Sequence, residues 1–374
     1  MRIGESALDI SRLEAGCFPG SLDGKEQWAK DRRRRRNMLA TSFYHYRKGR
    51  IVCMLGGTMS PPGRQEIGPQ PFLGLLSIAP MMGVAMRILS WNIQWGRGCD
   101  GVVDLARIAR NIYMIGDFDA ICLQEVAIAN PGLAGSQGED GVVALRNLFP
   151  DYQCFFSAGS DLPGPRGGRA LFGNVVLTRI PALQVWRHLL PHPVDPVVPS
   201  MQRTCLEVVV NASTGALRIL TTHLEYYSAL QRQAQVERLR ALQSEAAGHA
   251  RSPRPDKAAG ESDPPFRALP RPARAILCGD FNFRPDGPDY LALTSEIGAD
   301  IADWCDAWRV PGQPGARAVP HPPTSGVHQP SSAGPYCCDF MFVTRDIAPA
   351  VRTLRVESET TASDHQPIWL EIDL

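Results

Sequence analysis

Several short apolar runs in this sequence end in a side chain that could bind a metal ion or a phosphate group. The run RILSW is followed by Asn92, AICLQ by Glu125, RILTT by His223, and AILCG by Asp280 and then Asn282. Strand ends bring side chains from distant positions to one edge of a sheet, and functional sites cluster there. Taken singly, each residue has an ordinary explanation, such as a turn, a buried ion pair or a core histidine. Their repetition favours a common site.

A second group of such residues lies near the C-terminus. Asp364 and His365 precede the last apolar run, and Asp339 begins the run DFMFV. A carboxylate beside an imidazole offers both a metal ligand and a proton-transfer group, and a second carboxylate could orient the imidazole. The tripeptide SDH on its own is more typical of a solvated turn before a strand.

The apolar runs also predict the elements that must position these residues. Strand-like runs cover residues 87–91, 120–124, 174–178, 204–210, 217–222, 275–278, 340–343 and 368–372. Helical spacing of apolar residues occurs at 105–112 and 236–246. The strands come in consecutive groups, which predicts an α+β protein with two sheets packed face to face and helices outside. Segments 248–272 and 311–335 are rich in Pro, Gly and charge, so they are predicted to be surface loops.

The first 85 residues differ in composition from the rest of the chain. They carry 13 basic and 7 acidic side chains, whereas residues 86–374 carry 26 and 31. Because they show no sustained apolar period, we expect residues 1–85 to be a disordered extension or a non-native start, with Met86 as the true initiator. The basic run at 32–36 could instead bind nucleic acid or direct targeting. Residues 86–374 are predicted to form one domain.

The composition of the whole chain excludes several classes of protein. Lys and Arg number 39 against 38 Asp and Glu, which excludes a histone-like binder that acts through bulk positive charge. The most apolar window, residues 71–86, is too short and too interrupted to be a membrane anchor. None of the ten cysteines has the spacing of a zinc or thioredoxin motif, so we expect reduced cysteines. We expect a cytoplasmic monomer.

Seven segments in order resemble the endonuclease/exonuclease/phosphatase superfamily of metal-dependent phosphoesterases. They read SWNIQWGRG, ICLQEV, FGNVVLTRIP, TTHLEYYS, CGDFNFRPD, CCDFMFV and ASDHQPIWLEI, and the resemblance covers residues 87–374. The superfamily includes pancreatic deoxyribonuclease, exonuclease III-type repair enzymes, neutral sphingomyelinases, inositol-polyphosphate phosphatases and tyrosyl-DNA phosphodiesterase. The resemblance implies its deoxyribonuclease-like fold, a four-layer αββα sandwich of two mixed sheets flanked by helices.

The resemblance also implies a metal site. Glu125 would be the chief ligand of Mg²⁺ or Mn²⁺, and Asn92 and Asp364 would complete or flank that site. Oxygen ligands of this kind suit both ions.

The catalytic roles are implied in the same way. Asp280 and Asn282 would position the attacking water and the scissile phosphate. His365 would be the acid/base group and Asp339 its orienting carboxylate, while His223 would donate a hydrogen bond to a phosphoryl oxygen. The implied reaction is hydrolysis of a phosphoester by in-line attack of water.

The resemblance is less informative about the substrate. The stretch THLEYYSALQRQAQVERLRAL is more similar to the deoxyribonuclease and tyrosyl-DNA phosphodiesterase branches than to the exonuclease III branch. We therefore expect a phosphodiesterase acting on nucleic acid. The alternatives are a lipid, a small molecule, tyrosyl-DNA, or an inactive binding module. The module is disfavoured because the motif residues are all present.

Overall fold

Twelve strands form the framework of the protein in a computed structural model, which describes residues 85–255, 266–310, 320–329 and 334–374. They are β1 (Ala85–Asn92), β2 (Ala120–Ile128), β3 (Gln153–Pro163), β4 (Arg169–Thr178), β5 (Ala182–Leu189), β6 (Thr204–Ala212), β7 (Gly215–His223), β8 (Ala275–Asp280), β9 (Trp304–Asp306), β10 (Asp339–Thr344), β11 (Val351–Val356) and β12 (Ile368–Asp373). One sheet has the order β11-β12-β1-β2-β4-β3 and the other β5-β6-β7-β8-β10-β9.

Each sheet has one parallel pair near its centre. β1 is parallel to β2 in the first sheet, and β7 is parallel to β8 in the second. All other strand pairs among the described residues are antiparallel. The two strands of a parallel pair run in the same direction, so the residues at the ends of these paired segments are brought together at one edge of each sheet.

Within the described ranges, four α-helices cover the outer faces of the two sheets. They are α1 (Leu105–Ile115), α2 (Gly141–Leu148), α3 (Ala229–Arg251) and α4 (Pro288–Thr294). The apolar side chains of α1 and α2 pack with those of the first sheet, and those of α3 and α4 with the second. A third apolar cluster, which includes Ile88 and Val208, lies between the sheets. The predicted four-layer αββα sandwich is therefore confirmed.

The sequence prediction missed four strands, namely β3, β5, β9 and β11. All four lie at the edges of the two sheets. In β3, β5 and β11 most residues are half-buried or exposed, and β9 has only three residues. Edge strands contact a neighbour on one side only, so their sequences lack the continuous apolar run that marks a central strand.

Helix α3 extends beyond its predicted bounds at both ends. The Ser228 hydroxyl accepts a hydrogen bond from the Gln231 backbone N–H and caps the helix start. At the other end the helix continues to Arg251, so the predicted loop over 248–272 begins inside it and that boundary is wrong. The buried face of this helix contains polar as well as apolar side chains. Gln231, Gln235 and Gln243 are buried there and form hydrogen bonds.

Other expectations concern cysteines, the membrane and the leading segment. The eight cysteines of the described residues are all free, as predicted. No helix in that part of the chain is both long and apolar enough to span a bilayer. The predicted leading extension, residues 1–85, lies outside the described residues except for Ala85.

A chain that begins at Met86 should fold and keep its activity, because it retains two six-stranded sheets and the helices that cover them, with their apolar clusters. Only Ala85, which pairs with Asp373, is lost from a described strand. The melting temperature and specific activity of the shortened chain should match those of the full chain. A melting temperature many degrees lower would show that the domain begins earlier.

Candidate active site

The ends of the two parallel strand pairs form the floor of one groove. Asn92 and Gln124 are partners in the β1–β2 register, and His223 and Asp280 are partners in the β7–β8 register. Six of the eight predicted site residues line a groove of about 1340 Å³, namely Glu125, His223, Asp280, Asn282, Asp364 and His365. The other two, Asn92 and Asp339, are buried beside it. The sandwich thus brings together residues that are up to 273 positions apart in the sequence.

A bulge in β2 sets the position of Glu125. The register with β4 shifts between Leu123 and Val126, and Glu125 has a φ of +59°. Leu123 and Val126 pack in the same apolar cluster, so the extra residue removes Glu125 from the alternation of the strand. A positive φ is unfavourable for a residue other than glycine, and such strain is common at functional sites.

Asn92 links the two sheets at the groove floor. Its Nδ2 donates hydrogen bonds to Glu125 Oε1 and Asp280 Oδ2, each at 3.0 Å. Its Oδ1 accepts from the backbone N–H of Gln94 at 3.1 Å, which fixes the orientation of the amide. In this arrangement Asn92 orients two carboxylates, and its oxygen is engaged by the turn that follows β1.

Gln94 is a site residue that the sequence analysis missed. Its Nε2 donates to Asp364 Oδ2 at 2.7 Å, and its backbone has a φ of +45°. The other oxygen of Asp364 accepts from Ser363 Oγ at 3.2 Å. Both oxygens of Asp364 are therefore held from neighbouring turns. The signal was present in the motif WNIQ, two positions after Asn92, where a polar residue on a turn can reach the same site.

His365 and Asp339 form a direct pair. His365 Nδ1 lies 2.8 Å from Asp339 Oδ2, and both side chains are buried. Burial alone would lower the pKa of His365, but the charges of Asp339, Cys338 and Asp280 together with the hydrogen bond to Asp339 outweigh it and raise the pKa well above its usual range. The Trp91 indole N–H also donates to the backbone oxygen of His365 at 2.9 Å, which anchors the histidine to β1.

Thr324 supports this pair from a segment that was predicted to be a surface loop. Its Oγ1 donates to Asp339 Oδ2 at 2.6 Å and accepts from the backbone N–H groups of Cys338 and Asp339, each at 3.1 Å. Thr324 is only 1% exposed, so the surface-loop prediction for 311–335 is wrong at this position. The hydroxyl and the imidazole share one oxygen of Asp339, which restricts the carboxylate to one orientation.

Replacing Thr324 with valine should lower kcat by about tenfold, because the Asp339 carboxylate loses one of the donors that orient it. The two backbone N–H groups also lose their acceptor, so the melting temperature should fall. Thr324→Ser keeps the hydroxyl and should retain most of the activity. Equal rates for the two variants, normalised to folded protein, would show that the hydroxyl has no part in positioning Asp339.

Asp280 lies between two histidines. Its Oδ2 is 3.5 Å from His223 Nε2 and 3.7 Å from His365 Nε2. Burial raises the pKa of Asp280 to about 6, and burial together with Arg203 and His365 lowers the pKa of His223 well below its usual range. His223 is therefore neutral and His365 charged near pH 7, although both are histidines in one groove.

Asn282 is held by the turn that follows β8. Its backbone N–H donates to Asp280 Oδ1 at 3.0 Å, and its Nδ2 donates to the carbonyl of Leu224 at 2.9 Å. Its φ of +53° places the residue in the left-handed region. These contacts fix Asn282 beside Asp280, and both residues line the groove.

Two sets of side chains could hold a cation. Glu125 and Asp364 offer carboxylate oxygens on the groove floor. Asp280, Cys338 and His365 form a buried group whose candidate ligand atoms lie within 4.8 Å of one another. In that group the thiol donates to Asp339 Oδ2 at 3.5 Å, and the imidazole Nδ1 is bonded to the same oxygen. The thiol and this ring nitrogen are thus engaged by Asp339, and Nε2 is the nitrogen of His365 that remains for a ligand.

The sequence matches a family model over most of this architecture. The model describes the Endonuclease/Exonuclease/phosphatase family, whose members are hydrolases of phosphoester bonds, and it matches residues 89–365. A comparison with curated proteins found no match.

Solved structures show the same fold. An endonuclease/exonuclease/phosphatase from Beutenbergia cavernae is 27% identical, with a TM-score of 0.53 over 78% of this chain and 72% of its own. A mannosyl-6-phosphatase from Bacteroides thetaiotaomicron is 17% identical, with a TM-score of 0.53 over 77% of this chain and 100% of its own. D. rerio TDP2 in complex with a single-stranded DNA product is 20% identical, with a TM-score of 0.50 over 78% of this chain and 99% of its own. Since the family match extends from β1 to the SDH motif, this chain belongs to the endonuclease/exonuclease/phosphatase family.

Proposed function

We propose that this chain is a metal-dependent phosphodiesterase that acts on nucleic acid. The observation that carries the proposal is the convergence of Glu125 and Asp364 with Asp280 and the His365–Asp339 pair in one groove. A carboxylate pair, a further carboxylate and an oriented imidazole are the groups that phosphoester hydrolysis requires. The completeness of this set argues against an inactive binding module.

Glu125 and Asp364 are the residues that we expect to hold Mg²⁺ or Mn²⁺, with Asn92 orienting Glu125. Burial, with the charges of Asp364 and Asp280, raises the pKa of Glu125 to about 7, because the Asn92 hydrogen bond and the charge of His365 compensate only in part. Oxygen ligands suit both ions, whereas the thiol in the group around Cys338 favours softer metals. When bound, the ion would neutralise charge on the phosphate and stabilise the leaving oxygen.

The remaining residues divide the proton transfers between them. Asp280 would orient the attacking water and accept its proton, since its oxygen faces the groove and has a raised pKa. His365, charged and held at Nδ1 by Asp339, would be the acid, since its Nε2–H would bond to a phosphoryl oxygen and then pass its proton to the leaving oxygen. Neutral His223 would donate a second hydrogen bond from the opposite sheet. Both donors would act as negative charge develops on the phosphate.

The experiment that tests this function is a substrate screen with and without chelator. The purified chain, loaded with Mg²⁺ or Mn²⁺, is incubated with single- and double-stranded DNA, RNA, sphingomyelin, phosphotyrosyl-DNA and bis-p-nitrophenyl phosphate. We expect turnover of a nucleic acid that stops in excess chelator and returns with the ion. Turnover of only the lipid or tyrosyl-DNA would replace the proposed substrate, and no turnover of any ester would favour a binding module.

Two further expectations concern the oligomeric state and the location of the chain, and each has its own test. We expect a monomer by sedimentation and a cytoplasmic location by microscopy of the tagged chain. A stable dimer or a membrane-associated pool would contradict these expectations without affecting the proposed chemistry.

A further inference from the structure

Two exposed tyrosines line the groove beside the proposed active site. Tyr226 and Tyr227 follow His223 by three and four residues, and they are 53% and 59% exposed. Their rings contact each other edge to face with centroids 4.8 Å apart. Both residues belong to the lining that includes His223 and Asp280. Paired aromatic rings at the edge of a catalytic groove are available to a substrate.

Hydrogen bonds from neighbouring side chains fix the backbone that carries the two rings. Glu225 is fully buried, and its Oε1 accepts from the backbone N–H groups of Tyr226 and Tyr227 at 3.0 and 3.1 Å. Arg203 Nε donates to the other oxygen of Glu225 at 3.0 Å. Arg232 donates to the carbonyls of Glu225 and Tyr226, each at 3.1 Å. The loop is thus ordered before any ligand arrives, which lowers the entropic cost of binding on its surface.

The rest of the groove suits a phosphate-bearing strand. The Arg284 guanidinium lies over the Tyr336 ring at 4.7 Å, and both residues line the groove. Within the described residues no carboxylate pairs with Arg284, whereas Arg203 and Arg232 have Glu225 and Asp289 as partners. The volume of about 1340 Å³ exceeds the roughly 300–1,000 Å³ of small-molecule pockets. Arginine and aromatic side chains in one groove are the combination that binds single-stranded nucleic acids.

We propose that Tyr226 and Tyr227 form a stacking platform for an unpaired base next to the scissile phosphate, and that the substrate is therefore single-stranded. This inference rests on the proposed phosphodiesterase function and names its substrate class. In a duplex both faces of a base are covered by its neighbours, so a strand must be unstacked before it can use the platform. Stacking on an aromatic side chain strengthens binding by about fivefold to 150-fold per base.

The test compares two strands that differ only in their bases. Fluorescence anisotropy in excess chelator measures binding of the full chain to a labelled single-stranded oligothymidylate and to an abasic strand with the same number of phosphates. We expect the strand with bases to bind at least about tenfold more tightly. Equal binding of the two strands, or binding of neither, would overturn the platform.

Variants separate the rings from the rest of the loop. The double variant Y226L/Y227L should bind both strands equally, whereas Y226F/Y227F keeps the rings and should retain the preference. Val143→Ala removes an exposed apolar side chain from α2, outside the groove lining, and should not change the preference. A preference that survives in Y226L/Y227L would assign it to another part of the groove and overturn the proposal.

A lipid surface is the rival ligand for exposed tyrosines. Co-sedimentation with phosphatidylcholine–sphingomyelin vesicles tests it with the same variants. Vesicle binding that needs the two rings, without a preference for bases, would overturn the nucleic-acid platform. Turnover of DNA with equal affinity for the two strands would remove the platform alone, whereas a base preference without any turnover would remove the proposed catalytic function alone.

Discussion

Replacing Glu125 with glutamine should lower kcat by about 10³-fold, since a cation that stabilises developing charge contributes several kcal/mol to a phosphoryl-transfer barrier. Glutamine keeps the size of the side chain and can still meet Asn92, but it removes the charge that would hold the ion. Steady-state rates over a titration of Mg²⁺ or Mn²⁺ measure the effect. We expect part of the lost activity to return at high metal concentration, because the change weakens binding of the ion.

The same substitution should not harm the fold in the absence of metal. Burial raises the pKa of Glu125 from 4.5 to about 7, so the folded state favours the neutral carboxyl. Ionisation of Glu125 therefore decreases the stability of the metal-free protein as the pH rises from about 4.5 to about 7, and the contribution of this one group is fully present below that range. Glu125→Gln stays neutral, so its melting temperature in chelator at pH 8 should equal or exceed that of the wild type.

A matched control distinguishes the site from a general loss of negative charge. Glu237 on α3 has a side chain that is 61% exposed, and Glu237→Gln should leave both the rate and the metal dependence unchanged. Full activity of the wild type in excess chelator would refute the metal requirement. A variant at position 125 with normal turnover and normal metal affinity would refute the assignment of Glu125.

The second large effect is expected at the His365–Asp339 pair. A positioned acid/base group is worth about 10² to 10⁴ in rate, so His365→Ala should lose a factor of this size. Asp339→Asn should lose a similar or smaller factor, because the amide cannot stabilise the charged imidazole that Asp339 contacts at 2.8 Å. The two losses should not multiply, since an orienting carboxylate has little effect once the imidazole is absent.

The double variant decides whether the residues act together. Its single-turnover rate, normalised to folded protein, should be close to that of His365→Ala alone. A rate equal to the product of the two separate losses would mean that the residues act independently. Asp339 is buried and also bonded to Thr324, so melting temperatures of all three variants are needed to separate a loss of folded protein from a loss of catalysis.

The central strands and the residues at their ends could be predicted from the sequence. Strands such as β2 and β8 are buried on both faces, and such strands have continuous apolar sequences. The change from apolar to polar residues therefore marks the end of β8 at Asp280. In β2 the same change marks the bulge at Glu125, and the strand continues to Ile128, so its predicted end at residue 124 is wrong. The edge strands β3, β5, β9 and β11 have no such contrast, and they became visible only through their pairing with neighbours.

The orientation of the site residues was decided by the tertiary structure. The bulge that turns Glu125 out of its strand depends on the pairing of β2 with β4, which no local pattern encodes. Asn92 donates to two carboxylates because the two sheets meet there, so its role depends on Glu125 and Asp280. Thr324 reaches Asp339 from a segment whose composition indicates a surface loop.

The sequence by itself therefore determined which chemical groups this protein carries and near which central strands they lie. It could do so because buried strands and helices have recognisable patterns of apolar residues. Only the tertiary structure decided which of those groups touch. Hydrogen bonds such as those of Gln94 with Asp364 and of Thr324 with Asp339 join residues from separate elements, and their geometry follows from the packing of two whole sheets.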